Sequence, residues 1–543
     1  MQPLIGSIKR GFLWRVIRSY FRTPNCQWSR SLVLARSLAL LATLLGQQPG
    51  YAQGKQAPAP NIVFILADDL GYGELGVYGQ SIIETPNLDK LAARGMRFSQ
   101  FYSGSAVCAP ARCVLLTGKH SGHAYIRGND EWAERGEVWD FAKAAEDPNL
   151  EGQRPLPDSI QTLGEVLRQS GYQTACVGKW GLGAPLSEGR PNAQGFDFFY
   201  GYNCQRQAHN LYPPYQWRNI EKERTANPVF LPNAKLSPSD NPDDPATYAR
   251  FQASDYAPAL QLQEALGFIQ RASKEAPFFL LYTSPLPHVA LQAPPDLVAY
   301  YQRKIGPEKP YLGEKGYLPV LAPRATYAAM IHTLDAQVGA IVATLEQQGI
   351  LDNTLIVFTS DNGPSYAGGV DAAFFQSAGP FDSQEGKGKG FLYEGGIRVP
   401  FIAAWPGHIP AGTQSDCLAA LWDIFPTLET VAKGRPAATA DGRNLLPILT
   451  GKKTRLSRQY LYWEFPEYGG QQAVRMGDWK ALRLQMQSGQ KETLLFNLHS
   501  DLRETTNVAA QFPAVVKQLE AIMVKEHLPS DIPRFQIKAL DQN

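Results

Sequence analysis

Apolar runs and amphipathic stretches alternate along most of the chain. The apolar runs have the length of buried strands, and they read NIVFILADD, TACVGKW, PFFLLYTSP, TLIVFTSDNG and VPFIAAWPG. The stretches between them repeat apolar residues with a helical period, as in NLDKLAARG, DSIQTLGEVLRQSGY, APALQLQEALGFIQRASK, TYAAMIHTLDAQVGAIVATLEQQG and LAALWDIFPTLETVAKG. Strands that alternate with helices predict an α/β fold with a large mixed, mostly parallel sheet sandwiched by helices.

The pattern changes near residue 434. Short strands joined by turns are predicted by RQYLYWEF, QQAVRMGDWKALRLQ and ETLLFNL, and PAVVKQLEAIMVKE predicts a last helix. We therefore expect a larger domain over residues 58–433 and a small C-terminal α+β subdomain over residues 434–543, with an antiparallel sheet plus a helix. The Pro-, Asn- and Asp-rich segment over residues 227–251 is typical of a long surface loop.

Residues 1–52 have the pattern of a secretory signal. A basic region without acidic residues is followed by the apolar run LVLARSLALLATLLG and then by QQPGYAQ, so that cleavage is expected near Ala52. The alternative is an N-terminal membrane anchor, but the run is shorter than the ~20 residues that span a bilayer, and Arg36 interrupts it. We predict a secreted or periplasmic protein with no stable membrane span.

Composition narrows the function classes. Hydrophobic residues make up 44% of the chain and charged residues 19%, which is ordinary for a globular protein. The formal net charge of +2 gives no reason to expect nucleic-acid binding. Cys26 would leave with the signal. The five cysteines that remain are odd in number and irregularly spaced, so they do not suit a disulfide framework, and at least one is unpaired or modified.

Polar side chains follow several of the predicted strands, at the point where each strand ends. Because ligands of open parallel sheets bind beyond the carboxyl ends of the strands, we expect one site to contain Asp68, Asp69, Lys179, His288, Asp361 and Asn362. Each residue also has a simpler explanation when taken alone. The acids and the Asn-Gly pair suit turns, Lys179 suits a solvated surface, and His288 suits a hydrogen-bonded loop.

The residue types at these strand ends favour a hard cation. Three carboxylates and one amide suit Ca²⁺ or Mg²⁺, whereas zinc prefers histidine and cysteine. The chain has eight histidines and no HExxH pair, which argues against a two-zinc centre.

Motifs in a fixed order make this chain resemble the formylglycine-dependent sulfatases of the alkaline-phosphatase superfamily, and bacterial arylsulfatases in particular. The motifs are PNIVFILADDLGYGELGVYG, CAPARCVLLTG, VGKWGLG, TSDNG, GKGFLYEGGIRVP and LFNLHSDLRETTNV, and together they cover nearly the whole chain after the signal. The resemblance implies an alkaline-phosphatase-like fold. It also implies that residues 58–433 form the catalytic domain.

The resemblance gives Cys108 an unusual chemistry. In this family a maturation enzyme oxidises the signature cysteine to formylglycine (3-oxoalanine), and Pro110 and Arg112 belong to the sequence that it reads. One oxygen of the hydrated aldehyde attacks sulfur and releases the alcohol, and the second hydroxyl then expels sulfate and regenerates the aldehyde. The alternative for Cys108 is a buried free thiol.

The resemblance also implies a role for each neighbouring residue. The family binds a divalent cation, which is calcium in most relatives, and magnesium is the alternative. Here it would be held by Asp68, Asp69, the modified Cys108, Asp361 and Asn362. Arg112 would steady the formylglycine, while Lys179 and Lys389 would contact the sulfate. Lys389 or His288 would protonate the leaving oxygen.

One position departs from the family pattern. In the motif VGKWGLG, many relatives have a histidine two residues after the lysine, where this chain has Gly181. That histidine supports the diol of the hydrated aldehyde. In this chain the base must come from another residue, and His209 in RQAHNLYPPYQW is the candidate. His209 also suits a residue of the substrate pocket or a plain loop histidine.

These features predict a sulfuric ester hydrolase that acts on a sulfated carbohydrate or another small sulfate ester. Aromatic residues in LYPPYQW and GGVDAAFFQSAGPF suit either a sugar subsite or simple packing. One alternative is a phosphonate or phosphate ester hydrolase of the same superfamily. Another is a non-catalytic sulfoglycan-binding protein, for which the glycine at position 181 is the supporting feature.

Overall fold

The computed structural model describes residues 59–272, 276–433 and 440–541. The predicted signal over residues 1–52, with its cleavage near Ala52, lies outside these residues. The strands in the described ranges are β1 Asn61–Ala67, β2 Met96–Phe98, β3 Phe101–Tyr102, β4 Gln173–Lys179, β5 Phe198–Tyr202, β6 Tyr215–Arg218, β7 Glu221–Arg224, β8 Phe278–Thr283, β9 Thr354–Ser360, β10 Phe401–Ala404, β11 Thr413–Ser415, β12 Ala419–Ala420, β13 Leu461–Phe465, β14 Gln471–Met476, β15 Trp479–Arg483 and β16 Leu494–Asn497.

The α-helices of the same ranges vary widely in length. They are α1 Pro86–Ala93, α2 Cys108–Thr117, α3 Phe141–Ala144, α4 Leu163–Gln169, α5 Ala257–Arg271, α6 Pro295–Ile305, α7 Pro323–Gln347, α8 Ala372–Phe375, α9 Glu394–Ile397, α10 Ile424–Val431, α11 Leu446–Leu449, α12 Pro513–Glu526 and α13 Lys538–Asp541. By length and apolarity α7 resembles a membrane span, but 61% of its most apolar window is buried inside the protein, as in a core helix.

The large sheet is mixed and mostly parallel at its centre, as predicted. Within the described residues it has ten strands in the order β11-β2-β10-β9-β1-β8-β4-β5-β6-β7. The five central strands from β9 to β5 run parallel, whereas β10, β6 and β7 each pair antiparallel with a neighbour nearer the centre. All seven residues of β1 are buried, which fits a strand covered on both faces.

Helices cover both faces of this sheet. Ile62, Phe64 and Leu66 of β1 face a core that includes residues of α2, α4 and α10. The alternate residues Val63 and Ile65 face a second core, which includes residues of α1, α5, α6 and α7. The period of two along β1 therefore divides its side chains between two helical layers.

The C-terminal part contains the predicted antiparallel sheet plus helix. In the described residues β13, β14, β15 and β16 pair in chain order, each antiparallel to the next. Tyr462, Val474 and Leu495 of the sheet share a core with Leu519 and Met523 of α12. The division of the chain at residue 434 stays a prediction.

Two predicted helices are shorter than their periodicity suggested. The helix in DSIQTLGEVLRQSGY begins only after Thr162, because the Thr162 hydroxyl accepts from the N–H of Glu165 and the Glu165 carboxylate accepts from the N–H of Thr162. In LAALWDIFPTLETVAKG, the first residues form β12 and a 3-10 helix, Leu421–Asp423, before α10 begins. Capping and sheet pairing override the apolar pattern in both places.

Candidate active site at the carboxyl ends of the central strands

The structure brings the polar strand-end residues together. Strands β9, β1, β8 and β4 are successive parallel neighbours, so their carboxyl ends share one edge. The N–H of Asp361 donates to the carbonyl of Ala67 at 3.1 Å, and the N–H of Asp69 donates to Asp361 Oδ1 at 3.1 Å. Asp69 has a φ of 65°, a left-handed conformation that is uncommon outside glycine and that turns the chain at the end of β1.

Helix α2 presents Cys108 and Arg112 to the same edge. Cys108 is the first residue of the helix, and Arg112 follows one turn later on the same face. Cys108 Sγ lies 3.3 Å from Asp68 Oδ1 and 3.9 Å from Asp69 Oδ1. The side chains of Cys108 and Arg112 are buried, and so is that of the neighbouring Cys113, which packs in the core.

Buried cations and buried acids compensate each other at the site. Lys179 Nζ donates to Asp68 Oδ2 at 2.6 Å, and Lys389 Nζ donates to Asp69 Oδ2 at 2.7 Å. Uncompensated charges at such depth would be costly, so these pairs stabilise one another only as a set.

Arg112 and His288 complete this set of charges. Arg112 donates to Asp361 Oδ2 through Nη2 at 2.8 Å and through Nε at 3.2 Å. His288 Nδ1 bonds the carbonyl of Val289, which leaves Nε2 facing the acids, 3.7 Å from Asp69 Oδ2.

Burial and neighbouring charges shift the pKa values of these groups in different directions. Burial, with the nearby Asp68, raises the pKa of Asp361 to about 7. Although burial opposes it, the cations around Asp68, with Lys179 the strongest, hold the pKa of its carboxyl well below the usual range. Burial and the Asp68 charge raise the pKa of the Cys108 thiol, so at neutral pH it is protonated and a weak nucleophile.

The two histidines of the site are held neutral. Burial lowers the pKa of His288 well below its usual value, and Lys389 adds to this effect. Burial and the proximity of His288 do the same to the pKa of His209.

The donor set fits a hard divalent cation. Ligand atoms of Asp68, Asp69, Cys108 and His288 lie within 4.8 Å of one another. Asn362 Nδ2 donates to Asp69 Oδ1 at 2.8 Å, while Asn362 Oδ1 is buried and has no hydrogen-bond partner among the described residues. A partnerless amide oxygen beside clustered carboxylates is the kind of group that Ca²⁺ or Mg²⁺ binds.

A cavity of about 480 Å³ opens onto these residues. Cys108, Lys179, His288 and Lys389 line it, as does His209. The His209 ring stacks on the His288 ring with a centroid distance of 5.1 Å. The structure thus brings His209 into the wall of the pocket, while its role as a base stays a prediction.

The sequence did not point to several other residues of the cavity wall. These residues come from loops and from short 3-10 helices, and they include Asn129, Gln205, Arg206, Tyr317, Tyr468 and Arg534. Their segments have neither a strand-end position nor a recognisable motif, so only the tertiary structure reveals them. The aromatic residues Tyr212, Tyr215 and Trp217 of LYPPYQW are instead buried in the hydrophobic cores.

Comparison with protein families gives two matches along the chain. The model described as Sulfatase matches residues 60–434. A second model, described as N-sulphoglucosamine sulphohydrolase, C-terminal, matches residues 386–528. The two matches together extend over the large sheet, the site and the small C-terminal sheet.

Curated relatives are similar over most of their length. Human arylsulfatase A is 33% identical over 525 residues, which cover 89% of this chain and 92% of the relative. Human N-acetylgalactosamine-6-sulfatase is 33% identical over 407 residues, which cover 73% of this chain and 67% of the relative.

Solved structures show the same fold. The structure of Ps i-CgsB in complex with k-i-k-neocarrahexaose is 26% identical with a TM-score of 0.65, and the match covers 86% of this chain and 92% of that one. The phosphonate monoester hydrolase of Agrobacterium radiobacter is 21% identical with a TM-score of 0.58, over 86% of this chain and 96% of that one, and it bears on the fold alone. The predicted alkaline-phosphatase-like architecture is confirmed.

Proposed function

Because this chain belongs to the sulfatase family and is a sulfatase, we propose that it hydrolyses sulfate esters of carbohydrates with a formylglycine at residue 108 and a divalent cation beside it. One observation carries the proposal. Cys108 faces the carboxylates of Asp68 and Asp69 at the wall of a cavity that Lys179 and Lys389 also line.

The surroundings of Cys108 support its conversion to formylglycine. A thiol that is buried and protonated attacks poorly, and its hard oxygen neighbours do not suit a soft thiolate ligand. The aldehyde, once hydrated, supplies an oxygen nucleophile for the sulfur atom of the ester. Arg112 holds the helix that carries residue 108 against Asp361 at the end of β9.

The same edge of the sheet supports a cation site. Asp68 and Asp69 would hold calcium, or magnesium in its place, together with the modified residue 108. Asp361, whose Oδ1 accepts from the N–H of Asp69, and Asn362, whose Oδ1 has no partner in the described residues, would complete the ligand set. A divalent cation supplies positive charge for the nucleophile and for a sulfate oxygen.

The remaining charged residues act on the substrate. Lys179 and Lys389 hold the sulfate oxygens, where fixed cations stabilise the charge that develops in the transition state. Lys389 or His288 gives a proton to the leaving oxygen, since both line the cavity. Lys389 is charged, whereas His288 would first have to take up a proton at Nε2, because its Nδ1–H donates to the carbonyl of Val289.

Two observations support a carbohydrate as the alcohol part of the ester. The cavity of about 480 Å³ suits one small ligand unit, and Tyr317 and Tyr468 line it with aromatic rings, on which sugars pack. A relative is named N-acetylgalactosamine-6-sulfatase, and a structural neighbour was solved with k-i-k-neocarrahexaose.

The proposal includes the predicted cellular context. The basic and apolar pattern of residues 1–52 supports export to the periplasm or the medium, with cleavage near Ala52. The signature CAPAR supports a formylglycine-generating maturation enzyme as the one protein partner. We propose no nucleic-acid partner and no stable membrane span.

The test compares protein made with and without a formylglycine-generating enzyme. Each preparation is incubated with an aryl sulfate, an aryl phosphonate and a panel of sulfated monosaccharides, and the released sulfate, phosphonate product and sugar are measured. We expect maturation-dependent sulfate release that is fastest on a sulfated sugar. Faster turnover of the phosphonate would favour a phosphonate ester hydrolase, and tight glycan binding without turnover, with a thiol at Cys108, would favour the binding protein.

A further inference from the structure

Gln205 presents a buried hydrogen-bond acceptor at the wall of the catalytic cavity. It begins the 3-10 helix Gln205–His209 and lines the cavity together with Cys108. Its Oε1 is buried and has no hydrogen-bond partner in the described parts of the chain. Such an acceptor is unfavourable unless a ligand supplies the missing donor.

Hydrogen bonds fix which atom of the Gln205 amide is left without a partner. The backbone N–H of Ala109 donates to Asn129 Oδ1 at 3.2 Å, and a backbone N–H is always a donor, so Asn129 presents its oxygen there. Gln205 Nε2 donates to the same oxygen at 2.8 Å. The amide of Gln205 therefore cannot be reversed, and Oε1 is the atom left without a partner.

The same network ties Gln205 to the nucleophile position. Ala109 follows Cys108 directly, so Asn129 connects Gln205 to the backbone beside residue 108. The backbone N–H of Gln205 also donates to Gln153 Oε1 at 3.2 Å, which holds the start of its helix.

Gly181 leaves room for this amide. A Cβ added at Gly181 would lie 3.3 Å from Gln205 Oε1 and 3.8 Å from Arg112 Cδ. Gln205 thus fills the space that a side chain at position 181 would enter, beside an arginine that stands one helical turn from Cys108. The φ of +84° at Gly181 further disfavours any side chain there.

The cations of the site do not supply the missing donor. Lys179, Lys389 and Arg112 each bond carboxylates, namely those of Asp68, Asp69 and Asp361 respectively. Within the described residues no donor reaches Gln205 Oε1, so the donor comes from a water or from a group that enters the cavity. A hydroxyl is the donor that both a hydrated residue 108 and a sugar carry.

We propose that Gln205 accepts a hydrogen bond from a hydroxyl in the catalytic cavity, carried either by the matured side chain of residue 108 or by the substrate beside its sulfate ester. The inference rests on the proposed function and adds to it a residue that positions or binds the reacting group. In the first case Gln205 favours the hydrated form of residue 108, and in the second it selects alcohols with a neighbouring hydroxyl.

Gln207 offers a matched control. It lies on the same 3-10 helix, is buried, and also has an Oε1 without a hydrogen-bond partner in the described residues. Its Nε2 donates to the carbonyl of Tyr215 at 3.0 Å, and it is not among the described residues that line the cavity. Replacing either glutamine with methionine keeps the length of the side chain and removes its amide.

The experiment compares Gln205→Met, Gln207→Met and Gln205→Glu with the parent protein, all made with the maturation enzyme. Peptide mass spectrometry first measures the formylglycine content of each preparation. The rate at which an aminooxy probe labels folded protein then reports the free aldehyde at residue 108. Turnover of an aryl sulfate without further hydroxyls is compared with turnover of a sulfated monosaccharide.

The two sources of the hydroxyl give different results. A hydroxyl at residue 108 predicts that Gln205→Met labels faster and loses about tenfold in kcat on both substrates, as expected for one hydrogen bond. A substrate hydroxyl predicts unchanged labelling, an unchanged rate on the aryl sulfate, and an about tenfold lower kcat/KM on the sugar. Gln205→Glu keeps an acceptor, but it replaces the Nε2 donor to Asn129 Oδ1 with a carboxylate oxygen, so it should recover only part of the loss in either case.

Equal behaviour of Gln205→Met and Gln207→Met in labelling and on both substrates would overturn the inference. If the methionine variant does not fold, Gln205→Ala removes the same acceptor with less crowding and takes its place in every comparison. Failure of the proposed function is a separate outcome, because it appears in the parent protein as missing formylglycine or missing sulfate release.

Discussion

Arg112 Nη2 lies 2.8 Å from Asp361 Oδ2, and the two side chains are 3% and 0% exposed. This pair joins the first turns of α2 to the end of β9, across 249 positions of sequence. It fixes the helix that carries residue 108 against the acids of the sheet edge. Geometry at the site therefore depends on charge pairs that are themselves part of the core.

Asp361→Ala should abolish turnover and also lower the free energy of unfolding. The change removes a hard oxygen at a strand end, and it leaves buried Arg112 and the N–H of Asp69 without their acceptor. Bound calcium by elemental analysis and sulfate release should fall together. Asp352→Ala, an exposed carboxylate that precedes the same strand, is the control and should change neither. Normal activity with full metal occupancy would remove Asp361 from the site.

Residue 108 should be an aldehyde in active protein. Trypsin should release the peptide over residues 98–112, FSQFYSGSAVCAPAR, which in matured protein reacts with a hydrazide in place of a thiol reagent. The aldehyde fraction should follow specific activity between preparations, and Cys108→Ala should fold without activity. Cys113, buried one position beyond the cleavage point, should remain an alkylatable thiol throughout. Full activity with only a thiol at Cys108 would refute the mechanism.

Lys389→Ala should slow turnover more than it weakens binding of the neutral desulfated product. Lys389 Nζ lies 2.7 Å from Asp69 Oδ2 at the cavity wall, where one fixed donor is worth roughly 10²-fold in rate. Initial rates and product titration give the two quantities. Lys387→Ala is the control, because it removes another lysine two positions away. Lys387 pairs with Asp382 at 3.2 Å, so this variant should lose little turnover. Unchanged turnover in Lys389→Ala would place that lysine outside the reaction.

A chelator should remove activity and lower thermal stability in parallel. A ligand that binds only the folded chain stabilises it by about 2.7 kcal/mol at a hundred times its Kd, and buried carboxylates repel one another without it. Calcium or magnesium should restore both Tm and turnover, whereas zinc should restore neither. Recovery with zinc alone would contradict the assignment of hard oxygen ligands.

Lys480→Met should destabilise the protein without changing the chemistry of the site. Lys480 Nζ lies 3.0 Å from Glu394 and 2.9 Å from Glu504, and all three side chains are buried. Removing one partner of such a set typically costs about 3–5 kcal/mol, because the carboxylates stay buried. Urea unfolding measures the change, with the exposed Lys491→Met as control. Equal stability of the two variants would show that the buried charges contribute nothing to the free energy of unfolding.

Sequence patterns predicted that the polar strand-end residues lie together, because parallel strands end at one edge of the sheet. Asp68, Lys179, His288 and Asp361 each stand at or shortly after the end of a strand, and strand order then brings them into one place. The predicted α/β fold follows from the same alternation of strands and helices. The wall of the cavity obeys no such rule, since Tyr317, Tyr468 and Gln205 lie in loops or 3-10 helices where neither period nor capping marks them.

The position of Gln205 illustrates what sequence patterns leave undetermined. The glycine at 181 marks the absence of a side chain, but only the packing shows which neighbour takes the space. His209, the candidate from sequence, lies four residues after Gln205 on the same 3-10 helix, and its ring stacks on the ring of His288.

If residue 108 is oxidised as proposed, the burial of α2 determines when this can happen. All ten residues of this helix, including Pro110 and Arg112, are buried in the folded chain, so an enzyme that reads them has no access. Oxidation of Cys108 is therefore expected on the unfolded chain, before β9 and Asp361 have closed over the helix. Newly made protein that folds too early would stay permanently immature, and the ratio of aldehyde to thiol would record the competition between the two rates.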